Sequence, residues 1–304
     1  MITGAAGHIG SHLIRSLPKE LNVEEIILID NMASNRYTSL FDLPNTTKYK
    51  YLEENLATYD VSSLPRADIV VHLAAKTDAA QSANFEEEFY SNNLEATKNL
   101  ISYCNKNESK LIFASTTSVY GPQSNLVDEN CSKEDLNPQS PYADVKLLEE
   151  KIISESIDES QFLILRFGTI FGFARGIRFH TAVNKFCFQA STGKPLSVWT
   201  TAYEQVRPYL GLDDLNNALV HIFKHNLIKN DIYNIVSKNL TVKDIVECIK
   251  LYKPDTEVEY VDHEIMNQLS YEVSNSKFEN TGYKFNSSVS ENIKETLFHL
   301  GELK

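Results

Sequence analysis

The chain has 304 residues (34.5 kDa), with 41 acidic against 29 basic side chains and a formal net charge of −12. That balance argues against a protein that mainly grips nucleic acid or an anionic membrane, and no stretch nears the roughly 18 apolar residues of a membrane span. The four cysteines (Cys104, Cys131, Cys187, Cys248) form no C-x-x-C pair, and no basic segment precedes Arg15, so reduced thiols in the cytoplasm are expected, with no disulfide framework, zinc site or secretory signal.

Glycine is scarce, at 11 residues, yet three fall within the first ten. Gly4, Gly7 and Gly10 form a G-x-x-G-x-x-G turn that opens a predicted helix over 11–17. Such a turn lets backbone approach a pyrophosphate, and the helix N-terminus offers N–H donors to it. Only Met1, Ile2 and Thr3 precede Gly4, fewer than the five or six residues of a usual strand. Either this strand is truncated or the numbered chain starts inside a longer product. The apolar run 26–29 reads as the next strand and ends at Asp30, 20 residues beyond Gly10. An acid there accepts bonds from the adenosine ribose and favours NAD; Arg36 keeps NADP open as the alternative.

Further strands are predicted at 69–73, 111–113 and 162–165, and helices at 92–105 and 142–156. This alternation predicts an α/β fold, a Rossmann-type doubly wound parallel sheet over 1–165. Beyond Arg166 the rhythm changes. Helices are expected at 181–192, 213–226, 241–251 and 289–300, and strands at 196–199, 233–236 and 257–261. Residues 166–304 are therefore expected to form a smaller α/β substrate-binding domain, some of whose segments return to the first sheet. A ligand cleft is expected where the two parts meet.

The 111–113 strand runs into Ser115-Thr116-Thr117-Ser118, four hydroxyl residues at a strand's carboxyl end, where ligands of open α/β sheets bind. Tyr142 and Lys146 are four residues apart and share a helix face, with Ser140 placed to cap that helix and Pro141 suited to its first position. An ammonium fixed near a phenol favours the phenolate, which equips such a pair for general-base work.

Taken together, these motifs resemble the extended short-chain dehydrogenase/reductase family, in its NAD-dependent epimerase/dehydratase branch. The resemblance rests on Gly4 to Gly10, Asp30-Asn31, His72-Leu73-Ala74-Ala75, Asn93, the 115–121 segment, Tyr142/Lys146, and the 166–172 and 207–214 segments. It implies NAD as cofactor, held by Gly4, Gly7, His8, Ile9, Gly10, Asp30, Asn31, Asn55, Leu56, Leu73, Ala74, Ala75, Asn93, Tyr142 and Lys146. It implies Thr116, Tyr142 and Lys146 as the catalytic set, and a homodimer paired through the 92–105 and 142–156 helices.

Departures from the family pattern narrow the reading. Family dehydratases carry an Asp-Glu pair directly after the catalytic Thr, where this chain has Thr117 and Ser118, so water elimination is disfavoured. Asn55 stands where an adenine-binding Asp is frequent, Ala96 replaces a common Gly, and Gly168-Thr169 replaces a substrate-binding Asn.

Four of the seven arginines (Arg166, Arg175, Arg178, Arg207) fall between 166 and 207, a segment carrying +5 in a chain that is otherwise −17. Guanidinium groups hold diphosphates well. Arg178 and Arg207 are the candidate phosphate ligands, and Thr77, Thr117, Gly168, His180 and Asn184 complete the candidate substrate contacts. His221 and His225 have metal-like spacing but no acidic ligand in their segment, so no metal is expected. The expected activity is NAD-dependent epimerisation of a nucleotide-diphosphate sugar at C4 through a transient keto-sugar. A nucleotide-keto-sugar reductase and a non-catalytic dinucleotide-binding protein are the alternatives.

Overall fold

The computed structural model describes residues 1–77, 86–157, 162–262 and 270–301. Its first unit is a wholly parallel seven-stranded sheet. In chain order the strands are β1 (Ile2–Thr3), β2 (Glu25–Asp30), β3 (Lys48–Glu53), β4 (Ile69–His72), β5 (Lys110–Thr116) and β6 (Phe162–Phe167), joined by a late strand, β10 (Asp231–Ile235). The spatial order is β3-β2-β1-β4-β5-β6-β10. Helices α1 (His8–Glu20), α2 (Glu86–Asn107) and α3 (Pro141–Ser156) make the crossovers.

Central parallel strands must be apolar on both faces, and β2 shows the consequence. Ile26 and Leu28 pack into one core with Leu13, Ile14 and Leu17 of α1, whereas Ile27 and Ile29 pack into another with Ala96 and Leu100 of α2 and Ile153 of α3. β1 is only two residues long, but it pairs on both sides, with β2 and with β4. Backbone bonds from Ala5 to the Ile29 carbonyl and from Leu73 to the Thr3 carbonyl, both 3.2 Å, extend that pairing into the loops. Strand order reverses at β1 and β4, which places a crevice beyond their carboxyl ends.

The later chain adds β7 (Thr169–Phe171), α4 (Ala182–Ser191), β8 (Leu196–Trp199), β9 (Val206–Gly211), α5 (Leu212–Lys224), β11 (Lys238–Thr241), α6 (Val242–Tyr252), β12 (Val258–Val261), the one-turn α7 (Ser276–Glu279) and α8 (Val289–Leu300). β9 lies between β7 and β11, and β8 pairs with β12. α4, α6 and α8 share an apolar core with these strands through Phe186, Ile245 and Ile293. α5 does not: its Leu215, Leu219 and Ile222 pack with Leu13 and Leu17 of α1. α5 and β10 thus return to the first sheet. Among the described residues, no helix is long and apolar enough to cross a membrane.

Four strands, β3, β7, β9 and β11, left little trace in the sequence. β3 alternates Lys48 and Lys50 with Tyr49 and Tyr51, the pattern of a charged sheet edge and not of a buried run. β9 contains Pro208, which ordinarily argues against a central strand. β7 is only three residues long.

Candidate active site

The glycine turn closes on itself. Gly7 N–H donates to the Gly4 carbonyl (3.0 Å), and Ser11 N–H makes the first helical bond, to Gly7 (2.9 Å). Gly4 has φ +65°, and a Cβ on Gly10 would lie 2.3 Å from the Gly4 oxygen, so side chains are excluded from both positions. Gly7 caps α1 with no side-chain bond, and the first turn of α1 holds no acid. The leading N–H groups of α1 are left for an anion.

Asp30, at the carboxyl end of β2, is held by bonds from Ala6 N–H and Met32 N–H, both 2.9 Å. A tight turn with glycine where a Cβ would collide, an uncapped helix start and an oriented acid fit the pyrophosphate and adenosine ribose of NAD.

A loop from the second part of the chain seals this turn. His8 Nε2 bonds the Gly172 carbonyl (2.8 Å), Gly176 N–H donates to Ser11 Oγ (2.8 Å), and a Cβ on Gly176 would meet the Ala6 oxygen at 2.4 Å. Burial pushes the His8 pKa down to about 3, against the opposing pull of the Gly172 carbonyl, so the ring is neutral. The same loop carries Arg178 to the cleft, where its Nη1 donates to Thr77 Oγ1 at 2.5 Å.

β5 and α3 supply the reactive side. Thr116 ends β5, and its Oγ1 accepts from Ser118 N–H and donates to Ser118 Oγ, each at 3.1 Å. Ser140 caps α3 by accepting from Ala143 N–H (3.3 Å), with Pro141 in the first turn, so Tyr142 and Lys146 stand on consecutive turns of a well-started helix. Lys146 is buried, 3% exposed, with Nζ over the Phe113 ring at 4.3 Å. Thr117 Oγ1 lies 3.3 Å from the Phe167 carbonyl and 3.2 Å from the Tyr271 hydroxyl.

These parts line one cleft of about 770 Å³. Its lining includes Gly4, Gly7, His8, Ile9, Gly10, Asp30, Asn31, Asn55, Leu56, Leu73, Ala74 and Ala75 together with Thr116, Thr117, Tyr142 and Lys146. Thr77, Gly168, Arg178, His180 and Arg207 line the same cleft.

Two expected contacts stand elsewhere. Asn93 is fully buried and clamps Lys76, accepting from its N–H at 2.9 Å and donating to its carbonyl at 3.1 Å. Asn184 accepts from Gly172 N–H (3.2 Å) and donates to the Arg178 carbonyl (3.1 Å). Neither lines the cleft; both brace loops that do.

The arginine-rich segment also divides. Arg166 is buried against Glu150 (2.7 and 3.0 Å) and Tyr120 (2.9 Å), and Arg175 pairs with Asp42 at the surface. His221 bonds Thr281 and His225 bonds the carbonyl of His221.

The sequence singles out neither Trp199 nor Tyr209 as a contact, and Lys185 only as part of the basic excess; all three line the cleft. Trp199 is the sole tryptophan, on a strand the pattern did identify, but no spacing ties it to a ligand.

The profile of the NAD dependent epimerase/dehydratase family matches residues 1–236. A Bacillus subtilis relative described as an uncharacterized UDP-glucose epimerase, YtcB, is 30% identical over 82% of this chain and 80% of its own. The trifunctional enzyme RHM3 of Arabidopsis thaliana, whose name includes UDP-glucose 4,6-dehydratase, is 25% identical over 98% of this chain, which spans 46% of that relative. The crystal structure of a UDP-glucuronic acid 4-epimerase from Bacillus cereus, with UDP-glucuronic acid and NAD, aligns over 98% of each chain with a TM-score of 0.86 and 24% identity. The profile match over residues 1–236 and the 30% identical relative show that the chain belongs to the NAD dependent epimerase/dehydratase family.

Proposed function

We propose that this chain interconverts nucleotide-diphosphate sugars epimeric at C4, retaining NAD throughout its cycle. The observation that carries the proposal is the convergence of Thr116, Tyr142 and Lys146 with the glycine turn on one cleft that Arg178 and Arg207 also line. Bound NAD supplies the hydride acceptor and donor. The rest falls to the protein.

Thr116, fixed at the end of β5, holds the sugar hydroxyl that Tyr142 deprotonates. Lys146, one turn along the same helix, is placed to bind the nicotinamide ribose. Arg178 and Arg207 hold the diphosphate, leaving the sugar free to turn over as a ketone before its hydroxyl is restored with the opposite configuration.

Elimination of water is not provided for. Among the described residues lining the cleft, the acids are Asp30, Glu54 and Glu88. The first two sit at the ends of β2 and β3, and Glu88 is paired with Lys76. The position directly after Thr116 holds a hydroxyl already engaged with Phe167 and Tyr271. Homodimer formation through α2 and α3, and residence in the cytoplasm, are parts of the same proposal; sedimentation of the purified chain tests the first.

The decisive substitution is Tyr142→Phe. Loss of the general base lowers turnover about 10²- to 10⁴-fold with NAD still bound, and turnover within a fewfold of wild type would refute the mechanism.

A further inference from the structure

A buried run of hydrogen bonds ends on Lys146 and begins at the lining of the cleft. Leu73 N–H and Ala74 N–H both donate to Thr3 Oγ1, at 3.2 Å each. Thr3 Oγ1 lies 2.8 Å from His72 Nδ1, His72 Nε2 lies 3.2 Å from Thr97 Oγ1, and Thr97 Oγ1 donates to Glu149 Oε1 at 2.5 Å. Glu149 Oε2 stands 3.1 Å from Lys146 Nζ. Thr3, His72, Thr97 and Glu149 are all 1% exposed or less.

The proton positions follow from counting donors. Thr97 has one proton, which goes to Glu149, so His72 must donate through Nε2–H. His72 Nδ1 then accepts from Thr3, whose oxygen takes the two backbone N–H groups. Burial holds the ring neutral, with a pKa pushed down to about 3. Every donor in the run points toward Glu149, whose Oε1 accepts from Thr97.

We infer that Glu149 is a positioning residue: it is the buried partner that holds Lys146 in place on the helix face it shares with Tyr142, and the His72–Thr97 run fixes it. An ammonium as buried as Lys146 is costly unless paired. Glu149 supplies that pair from one helical turn below, on the side away from the cleft lining. Among the described residues, His72 faces the pair from β4, α2 contributes the Thr97 hydroxyl and β5 the Phe113 ring. Glu150, the next residue, is engaged instead by Arg166 and Ser115.

The inference rests on the epimerase reading for its kinetic arm but not for its thermal one. Glu149→Gln keeps the Thr97 contact and removes the charge. It is expected to lower kcat about tenfold with KM within about twofold, since a lysine that loses its buried partner no longer holds its place beside the reacting groups. A kcat within twofold of wild type, or a loss carried by KM instead, overturns the inference. Independently of turnover, Glu149→Gln is expected to lower the melting temperature by about 5 °C, and adding Lys146→Met to restore at least half of that loss. Strictly additive effects overturn it. If the wild-type chain epimerises no sugar, the functional reading fails and the thermal cycle alone decides whether Glu149 serves Lys146. Should the glutamine variant not fold, Glu149→Asp takes its place: a smaller fall in kcat at constant KM supports the inference, and an unmoved kcat overturns it.

Discussion

The Tyr49 hydroxyl stands in for the amide that Pro18 lacks. Pro18 lies inside α1, so the Ile14 carbonyl four residues earlier receives no helical bond, and Tyr49, from the edge strand β3, donates to it at 2.7 Å. The helix that begins at the glycine turn is thereby tied at its far end to the sheet.

Tyr49→Phe is accordingly expected to cost about 1 kcal/mol. In a Pro18→Ala background, where residue 18 can donate to Ile14, the same change is expected to cost much less. Denaturant unfolding of the four proteins in this cycle measures the coupling. Equal costs in both backgrounds would show that Tyr49 is not compensating for the proline.

Gly10→Ala forces a Cβ to within 2.3 Å of the Gly4 carbonyl, in a turn where both partners are backbone. The expected result is a loss of about 1–3 kcal/mol in stability together with loss of NAD from the purified protein. Cofactor content after heat release, compared with wild type, reads the second effect directly.

His8 and His72 make stability depend on pH with a defined sign. Both are buried and neutral, with pKa values pushed from 6.5 to about 3. The unfolded chain therefore binds more protons than the folded one between these values. Their contribution is complete above about pH 6.5 and is lost as pH falls toward 3. At pH 5 each residue is expected to remove about 2 kcal/mol. His8→Gln, which can keep a donor near the Gly172 carbonyl, is expected to flatten the fall in melting temperature between pH 7 and 5; an unchanged slope would mean that His8 does not titrate as its burial requires.

Arg178→Leu and Arg207→Leu remove one guanidinium each from the cleft. Either change is expected to raise KM for the nucleotide-sugar tenfold or more, with kcat reduced only a fewfold, because the diphosphate is held alike in ground and transition states. A fall in kcat at constant KM would place these residues in the chemistry and not in binding.

Much of the site was legible because each piece combines a residue type with a backbone requirement. Gly4 and Gly10 are readable since no other residue fits, Asp30 since it ends an apolar run, and Tyr142 with Lys146 since a serine cap and Pro141 announce their helix. The arginine excess between 166 and 207 was legible as a charge anomaly, but not which arginines reach the ligand. Arg166 points into a buried pair with Glu150 that only the packing of α3 against β5 and β6 brings together. Asn93 and Asn184 were visible as polar residues near the right motifs, yet their bonds to loop backbone depend on three-dimensional closure. Glu149 carried no signal at all: on sequence it is one acid among three within 149–155, and burial beside His72 and Thr97 is what distinguishes it. β9 was hidden by Pro208, and β3 by its lysines.

The most direct test of the functional proposal is proton NMR of the purified chain incubated with UDP-hexoses and UDP-hexuronic acids, with no coenzyme added. A retained-NAD epimerase converts one of these to an equilibrium mixture of C4 epimers, with no net change in absorbance at 340 nm, and the Tyr142→Phe protein leaves the same substrate unchanged over the same period. Conversion that requires added NAD(P)H in stoichiometric amounts, or a Tyr142→Phe protein as active as wild type, would contradict it.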